Sequence, residues 1–174
     1  MTRFEKSYPK NIVLIGMPGS GKSTTGVLLA KSLGFSFLDT DLLLQEQTGM
    51  LLQNLVDSKG FFGFVDIEEQ ILSELNVSNT VISTGGSVIY GEKTMRRLKQ
   101  IGTVIFLNVS FPEIMRRIKN ISTRGIALKD GQSLENLYAE RLPLYQKYAD
   151  LTVSGDNQTV EELVTRITQR LQNY

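Results

Sequence analysis

The chain contains no cysteine and no histidine. The first absence excludes a disulfide framework and a thiolate zinc site. The second removes the commonest general base and the commonest metal ligand. Proton transfer therefore falls to Asp, Glu or Lys, and a bound metal would be a hard cation on oxygen ligands. Excess charge is lacking too. Nineteen basic residues against eighteen acidic ones leave a net charge of +1, so no broad basic surface for nucleic acid is indicated. No run of 18 apolar residues appears, and the polar start "MTRFEKSYPK" has no signal-peptide pattern. The expectation is a cytoplasmic protein with no membrane and no nucleic-acid partner.

What is present suits one α/β domain covering residues 1–174, with 41 % hydrophobic residues to build a core. Short β-branched runs alternate with helical patterns. "NIVLIG", "FSFLDTD", "NTVISTGG", "TVIFLNV" and "DLTVSG" read as five strands. Between them lie helical segments: "KSTTGVLLAKSLG" with Gly34 as C-cap, "DLLLQEQTG" ending in Gly49, and Asn54 to Glu74 interrupted near "KGFFGF". "EKTMRRLKQIG" ends in Gly102, and Pro112 opens "PEIMRRIKNI". "LENLYAERLPLYQKYA" has Pro143 as a break or kink, and "TVEELVTRITQRLQNY" closes the chain as an amphipathic helix. This alternation implies a three-layer α/β/α fold with a five-stranded parallel sheet covered on both faces. Ligands in such folds sit beyond the carboxyl ends of the strands.

One strand ends in "GMPGSGKST", which fits G-x-x-x-x-G-K-[ST] at Gly16, Gly21, Lys22 and Ser23. Glycines let successive backbone N–H groups turn inward around a polyphosphate, and the following helix adds its positive end. Lys22 can reach the outer phosphates, the Ser23 hydroxyl can ligate Mg²⁺, and Thr24 lies near the inner phosphates. The apolar strand before and the helix after supply the context the motif requires. The second strand ends with Asp39 and Asp41. In an extended chain they face the same side; one can hold the metal's water shell, the other can orient an acceptor hydroxyl and take its proton. Asp41 also reads as the N-cap of the next helix. Gly85 and Gly86 end the third strand, where backbone can approach a small ligand or simply turn.

The order G-M-P-G-S-G-K-S-T, F-L-D-T-D, T-G-G, R-x-x-x-x-x-x-R before a loop, then E-R-L-P-L-Y resembles shikimate kinase over nearly the whole chain. The phosphate loop is generic; the F-x-D-x-D pair and the R-x-P-L-Y segment are more specific. The resemblance implies a P-loop, nucleoside-monophosphate-kinase-like fold that moves the ATP γ-phosphate to the 3-hydroxyl of shikimate with Mg²⁺. It implies a lid over approximately 117–132 and a substrate-binding helical segment over approximately 41–75. Gly19, Ser20, Gly21, Lys22, Ser23 and Thr24 would hold ATP phosphates. Ser23, supported through water by Asp39, would hold Mg²⁺. Asp41 would bind ring hydroxyls and act as base, beside the backbone of Gly85 and Gly86. Arg117 would stack on adenine, Arg124 would close over the phosphates with Lys22, and Arg141 would grip the substrate carboxylate. Each arginine has an ordinary alternative: Arg117 as a solvated helix face, Arg124 as a loop charge, Arg141 paired with Glu140 or Asp150. ATP rather than GTP follows from the resemblance, and a monomer is expected.

Three positions depart from the family pattern. F-R-x-x-E is "FVDIE" here, Phe64 to Glu68, so Val65 stands where an arginine would meet the substrate carboxylate. A lost charge-assisted pair costs about 1.5–3 kcal/mol, roughly one to two decades of affinity. Candidate compensators are Lys59 or a local rearrangement. The third glycine of G-G-G is Ser87, which puts a side chain in a tight place, and the residue after Arg124 is Gly125 rather than proline, which suggests a looser lid. These departures keep two alternatives open: a sibling kinase for a different small alcohol, and a nucleotide-binding regulatory protein without catalysis.

Overall fold

The computed structural model describes residues 8–118 and 125–174. Its centre is β1 (Asn11–Ile15), five residues all buried. Around it stand β2 (Ser36–Asp39), β3 (Thr80–Ser83), β4 (Thr103–Asn108) and β5 (Leu151–Ser154), in the order β2-β3-β1-β4-β5. Every pairing is parallel, with Ile12 opposite Val81 on one side and Thr103 on the other. Because strand side chains alternate, β1 feeds two cores. Ile12 and Leu14 join Leu29, Ile105, Leu163 and Ile167 on one face. Val13 and Ile15 join Leu44, Phe64, Ile82, Leu137 and Tyr145 on the other.

The first face is covered by α1 (Lys22–Leu33) and α7 (Val160–Gln172). Gly34 ends α1 in the left-handed region at φ 70, as its sequence position suggested. Thr159 and Glu162 form a reciprocal capping box that starts α7. The second face carries α2 (Thr40–Thr48), α3 (Leu52–Leu72), α4 (Glu92–Ile101), α5 (Phe111–Arg117) and α6 (Leu134–Tyr148). The interruption expected near "KGFFGF" is a single residue: Gly60 adopts φ 66, ψ 180 and bends α3 there. Among the described residues, no helix is long and apolar enough to cross a membrane.

Two local expectations are corrected and one is refined. Pro143 does not break α6, which runs unbroken through it; the proline removes one donor within the helix. Gly102 ends α4 as its position suggested, but not in the left-handed region. Its backbone is extended, and a Cβ there would stand 2.6 Å from the Asn11 carbonyl oxygen, so close approach to β1 excludes a side chain. The N-cap of α2 is Asp39, whose side chain accepts from the Asp41 N–H at 2.9 Å; Asp41 lies in the helix's first turn and not in the strand.

Candidate active site

The carboxyl ends of β1, β2 and β3 open into a cleft of about 390 Å³. On one side runs the phosphate loop. Gly16, Gly19 and Gly21 hold φ of 149, 82 and 90, conformations that glycine alone adopts without strain. A Cβ on Gly16 would meet the Leu107 carbonyl at 2.8 Å, so the loop also lies tight against β4. The start of α1 lines the cleft through Gly21, Lys22, Ser23 and Thr24, which brings the positive end of the helix dipole to it. Lys22 is 7 % exposed, and its Nζ donates to the carbonyls of Gly16 at 2.8 Å and Met17 at 2.9 Å. Ser20, buried and not among the cleft-lining residues, sits behind the loop.

Asp39 joins the loop to α2. Its Oδ2 accepts from Ser23 Oγ at 2.7 Å while its Oδ1 caps α2. Ser23 Oγ also lies 3.2 Å from Ser83 Oγ. This oxygen-only set suits a hard divalent cation that keeps waters and shares phosphate oxygens. Asp41 is partly buried and lines the cleft. Burial first, and the neighbouring Asp39 second, raise its pKa to about 6 against the opposing pull of Lys22.

The turn after β3 lines the cleft with Thr84, Gly85, Gly86 and Ser87. A Cβ on Gly85 would stand 2.7 Å from Asp41 Oδ1, and one on Gly86 would stand 2.8 Å from Arg141 Nη1. A side chain on Gly86 would also meet the Pro18 ring at 2.7 Å, and one on Gly85 would displace the Asp41 carboxylate. Arg141 is 1 % exposed, and makes no ion pair with Glu140, Asp150 or any other described residue. Its Nη2 donates to the Ala127 carbonyl at 2.9 Å, and its guanidinium lies over Tyr90. Glu140 is engaged instead by Lys129, Gln132 and Tyr90. Tyr145 Oη donates to the Gly86 carbonyl at 2.6 Å, which fixes that peptide's orientation. Burial pushes the Tyr145 hydroxyl up to about 12, so it remains a donor.

At the nucleotide end, Arg117 lines the cleft rather than forming a solvated face. Glu113 Oε1 accepts from its Nε at 2.6 Å, and the Gly155 carbonyl accepts from its Nη2 at 2.8 Å. Arg124 lies outside the described residues. Its neighbour Gly125 has φ 59, donates its N–H to Gln53 Oε1 at 3.1 Å, and packs against Leu52. Proline could supply neither that φ nor that donor, and glycine here ties the backbone at 125 to α3. Lys59 is exposed beside the α3 bend and does not line the cleft, so it does not fill the place of the missing arginine.

Sequence reasoning gave no role to Glu68. It is 2 % exposed, and its Oε2 accepts from Ser87 Oγ at 2.7 Å. Burial raises its pKa to about 7, with Ser87 and Arg141 opposing and Asp41 adding to the rise. The available signal was a carboxylate on the apolar stripe Phe64, Glu68, Leu72 of α3.

A glycine-rich loop between a central parallel strand and a helix, with an acidic pair where the second strand passes into its helix, defines a P-loop phosphotransferase. The comparisons narrow that class. The family model for shikimate kinase matches residues 18–172. Shikimate kinase from Paracidovorax citrulli is 38 % identical over 169 residues, covering 93 % of this chain and 92 % of the relative. That from Thermodesulfovibrio yellowstonii is 36 % identical over 170 residues, covering 94 % and 98 %. The solved structure of the Acinetobacter baumannii shikimate kinase in complex with shikimate superposes with a TM-score of 0.87 at 30 % identity, covering 95 % of this chain and 94 % of that one. The chain belongs to the shikimate kinase family.

Proposed function

We propose that this chain transfers the γ-phosphoryl group of ATP to a ring hydroxyl of shikimate. The observation that carries the reading is the placement of Asp41 at the mouth of the phosphate loop, in one cleft with Lys22 and Arg141. Asp41 accepts the hydroxyl proton as the acceptor oxygen bonds to the γ-phosphorus; the bond to the β–γ bridging oxygen breaks, and ADP leaves. With a pKa near 6, Asp41 is ionised at neutral pH yet basic enough to take the proton. Lys22 and the loop N–H groups stabilise charge on the phosphate oxygens. Arg117, held by Glu113 and the Gly155 carbonyl, presents its guanidinium plane to the adenine. Arg141 holds the acceptor carboxylate against Gly86.

Mg²⁺ fits the oxygen set of Ser23 and, through water, Asp39, and when bound it neutralises phosphate charge. Closure of residues 117–132 over the cleft, Arg124 included, excludes water and limits wasteful hydrolysis. The protein acts as a cytoplasmic monomer.

The test is ADP release with ATP, Mg²⁺ and shikimate, followed by a panel of small polyols and hydroxy acids. Saturable turnover on shikimate is the expected result. Val65 favours one competing reading, a sibling kinase for a less anionic alcohol, because Arg141 is the one described cation lining the cleft beside Gly86. Turnover confined to another alcohol would establish that reading, and nucleotide binding with no transfer to any acceptor would refute both.

A further inference from the structure

Two of the chain's departures from the family pattern meet at one side chain. Ser87 stands where the pattern has its third glycine, and its hydroxyl donates to Glu68 Oε2 at 2.7 Å. Val65 stands where the pattern has arginine, three residues before Glu68 in the regular part of α3 beyond the bend at Gly60. Residues three apart on a helix are neighbours, so a long cationic side chain at 65 reaches the Glu68 carboxylate. Valine offers no donor, and a glycine at 87 would offer no hydroxyl. One departure removes a partner of Glu68 and the other supplies one.

Glu68 is placed to matter for the acceptor. A Cβ on Gly85 would stand 3.0 Å from Glu68 Oε1 and 2.7 Å from Asp41 Oδ1, so two carboxyl groups flank the same glycine. Oε1 is inaccessible and has no hydrogen-bond partner among the described residues. We infer that Ser87 is a positioning residue: its hydroxyl holds the Glu68 carboxyl in place of an arginine at position 65. It thereby fixes the Gly85–Gly86 turn between Asp41 and Arg141. The inference rests on the reading of that turn as the shikimate site.

The exchange has an electrostatic logic. The groups facing Glu68 are Asp41 from α2, Ser87 from the turn and Arg141 from α6. Burial keeps the proton on this carboxyl to near neutrality, and the Ser87 hydroxyl opposes that only as a neutral donor, without the charge an arginine would add. A neutral Glu68 leaves the charge of Arg141 uncancelled, and an anionic acceptor then meets that charge in full. The site thus manages with a single guanidinium.

The experiment is a double-mutant cycle of Ser87→Ala and Val65→Arg. Position 87 has φ −86, ψ −9, which alanine adopts without strain. In the parent, Ser87→Ala is expected to raise KM for shikimate about tenfold and leave KM for ATP unchanged. In the Val65→Arg background the same change is expected to cost less than about twofold, because the cation takes over the carboxylate. Equal losses in both backgrounds, or parallel rises in both KM values, overturn the inference. Absence of any turnover on shikimate would refute the proposed function instead, and the cycle is then decided by unfolding midpoints. Ser87→Ala should lower the midpoint more at pH 8 than at pH 5 in the parent, with that difference abolished in the Val65→Arg background. A loss independent of pH overturns it.

Discussion

Glu68→Gln should make the protein more stable in a pH-dependent way. Native Glu68 holds its proton up to about pH 7, whereas in the unfolded chain it titrates near its ordinary value of 4.5. Between those two points the native state binds more protons than the unfolded state, so stability falls as pH rises. Below 4.5 burial of this carboxyl carries no ionisation cost; above 7 the cost is complete. A gap of about 2.5 pH units at 1.36 kcal/mol each sets it at about 3 kcal/mol. Glutamine is neutral throughout, keeps an oxygen to accept from Ser87 Oγ, and turns an amide donor toward the side of Gly85 where Asp41 Oδ1 lies. Urea unfolding at pH 5, 6, 7 and 8, at constant ionic strength, should give nearly equal free energies for the two proteins at pH 5. At pH 8 the variant should lead by about 3 kcal/mol, roughly 6–12 °C in Tm for a chain of this size. Asp41 is coupled to Glu68 and titrates with it as a pair, so the transition spreads over the range between about 4 and 7. A difference that is the same at every pH, or a variant less stable at pH 8, would refute the argument that burial controls this group.

Further outcomes concern activity. Lys22→Ala and Asp41→Asn should each abolish phosphoryl transfer in the ADP-release assay, with the folded state intact by circular dichroism. Val65→Arg should lower KM for shikimate up to about tenfold by adding a second cation at the acceptor end; a higher KM would mean that position 65 does not face that end. Arg117→Ala should raise KM for ATP while leaving KM for shikimate near its original value. Gly125→Pro should reduce kcat, since proline loses the N–H bond to Gln53 and cannot reach φ 59; an unchanged kcat would show that this tie plays no part in closure.

Much of the fold was legible because its signals are local. A strand buried on both faces shows as an unbroken β-branched run, and "NIVLI" became the central strand. Helix ends that need a left-handed residue carry glycine, and Gly34 and Gly49 adopt it. The phosphate loop was legible for the same reason: its backbone geometry dictates its residue types. Signals of equal strength misled where a distant neighbour decides. Gly102 does end α4, but glycine is demanded there by the close approach of β1 and not by a left-handed turn. Asp39 rather than Asp41 caps α2 because the strand stops two residues earlier than strict alternation implied.

The acceptor side was harder to read because its chemistry is shared among segments far apart in the chain. Val65, Glu68 and Ser87 look unrelated in sequence, and two of them read as separate defects. Each was weighed against the substrate alone, where losing an arginine is a plain loss. In the fold, the hydroxyl of Ser87 ends on the carboxyl left behind on α3, and the cost of the valine depends on whether that carboxyl is charged. An ionised Glu68 beside Val65 would be a buried, uncompensated anion competing with the acceptor for Arg141. A protonated one is a neutral hydrogen-bonding group. The same substitution is therefore damaging or tolerable according to one proton, and a residue-by-residue comparison carries no information about where that proton resides.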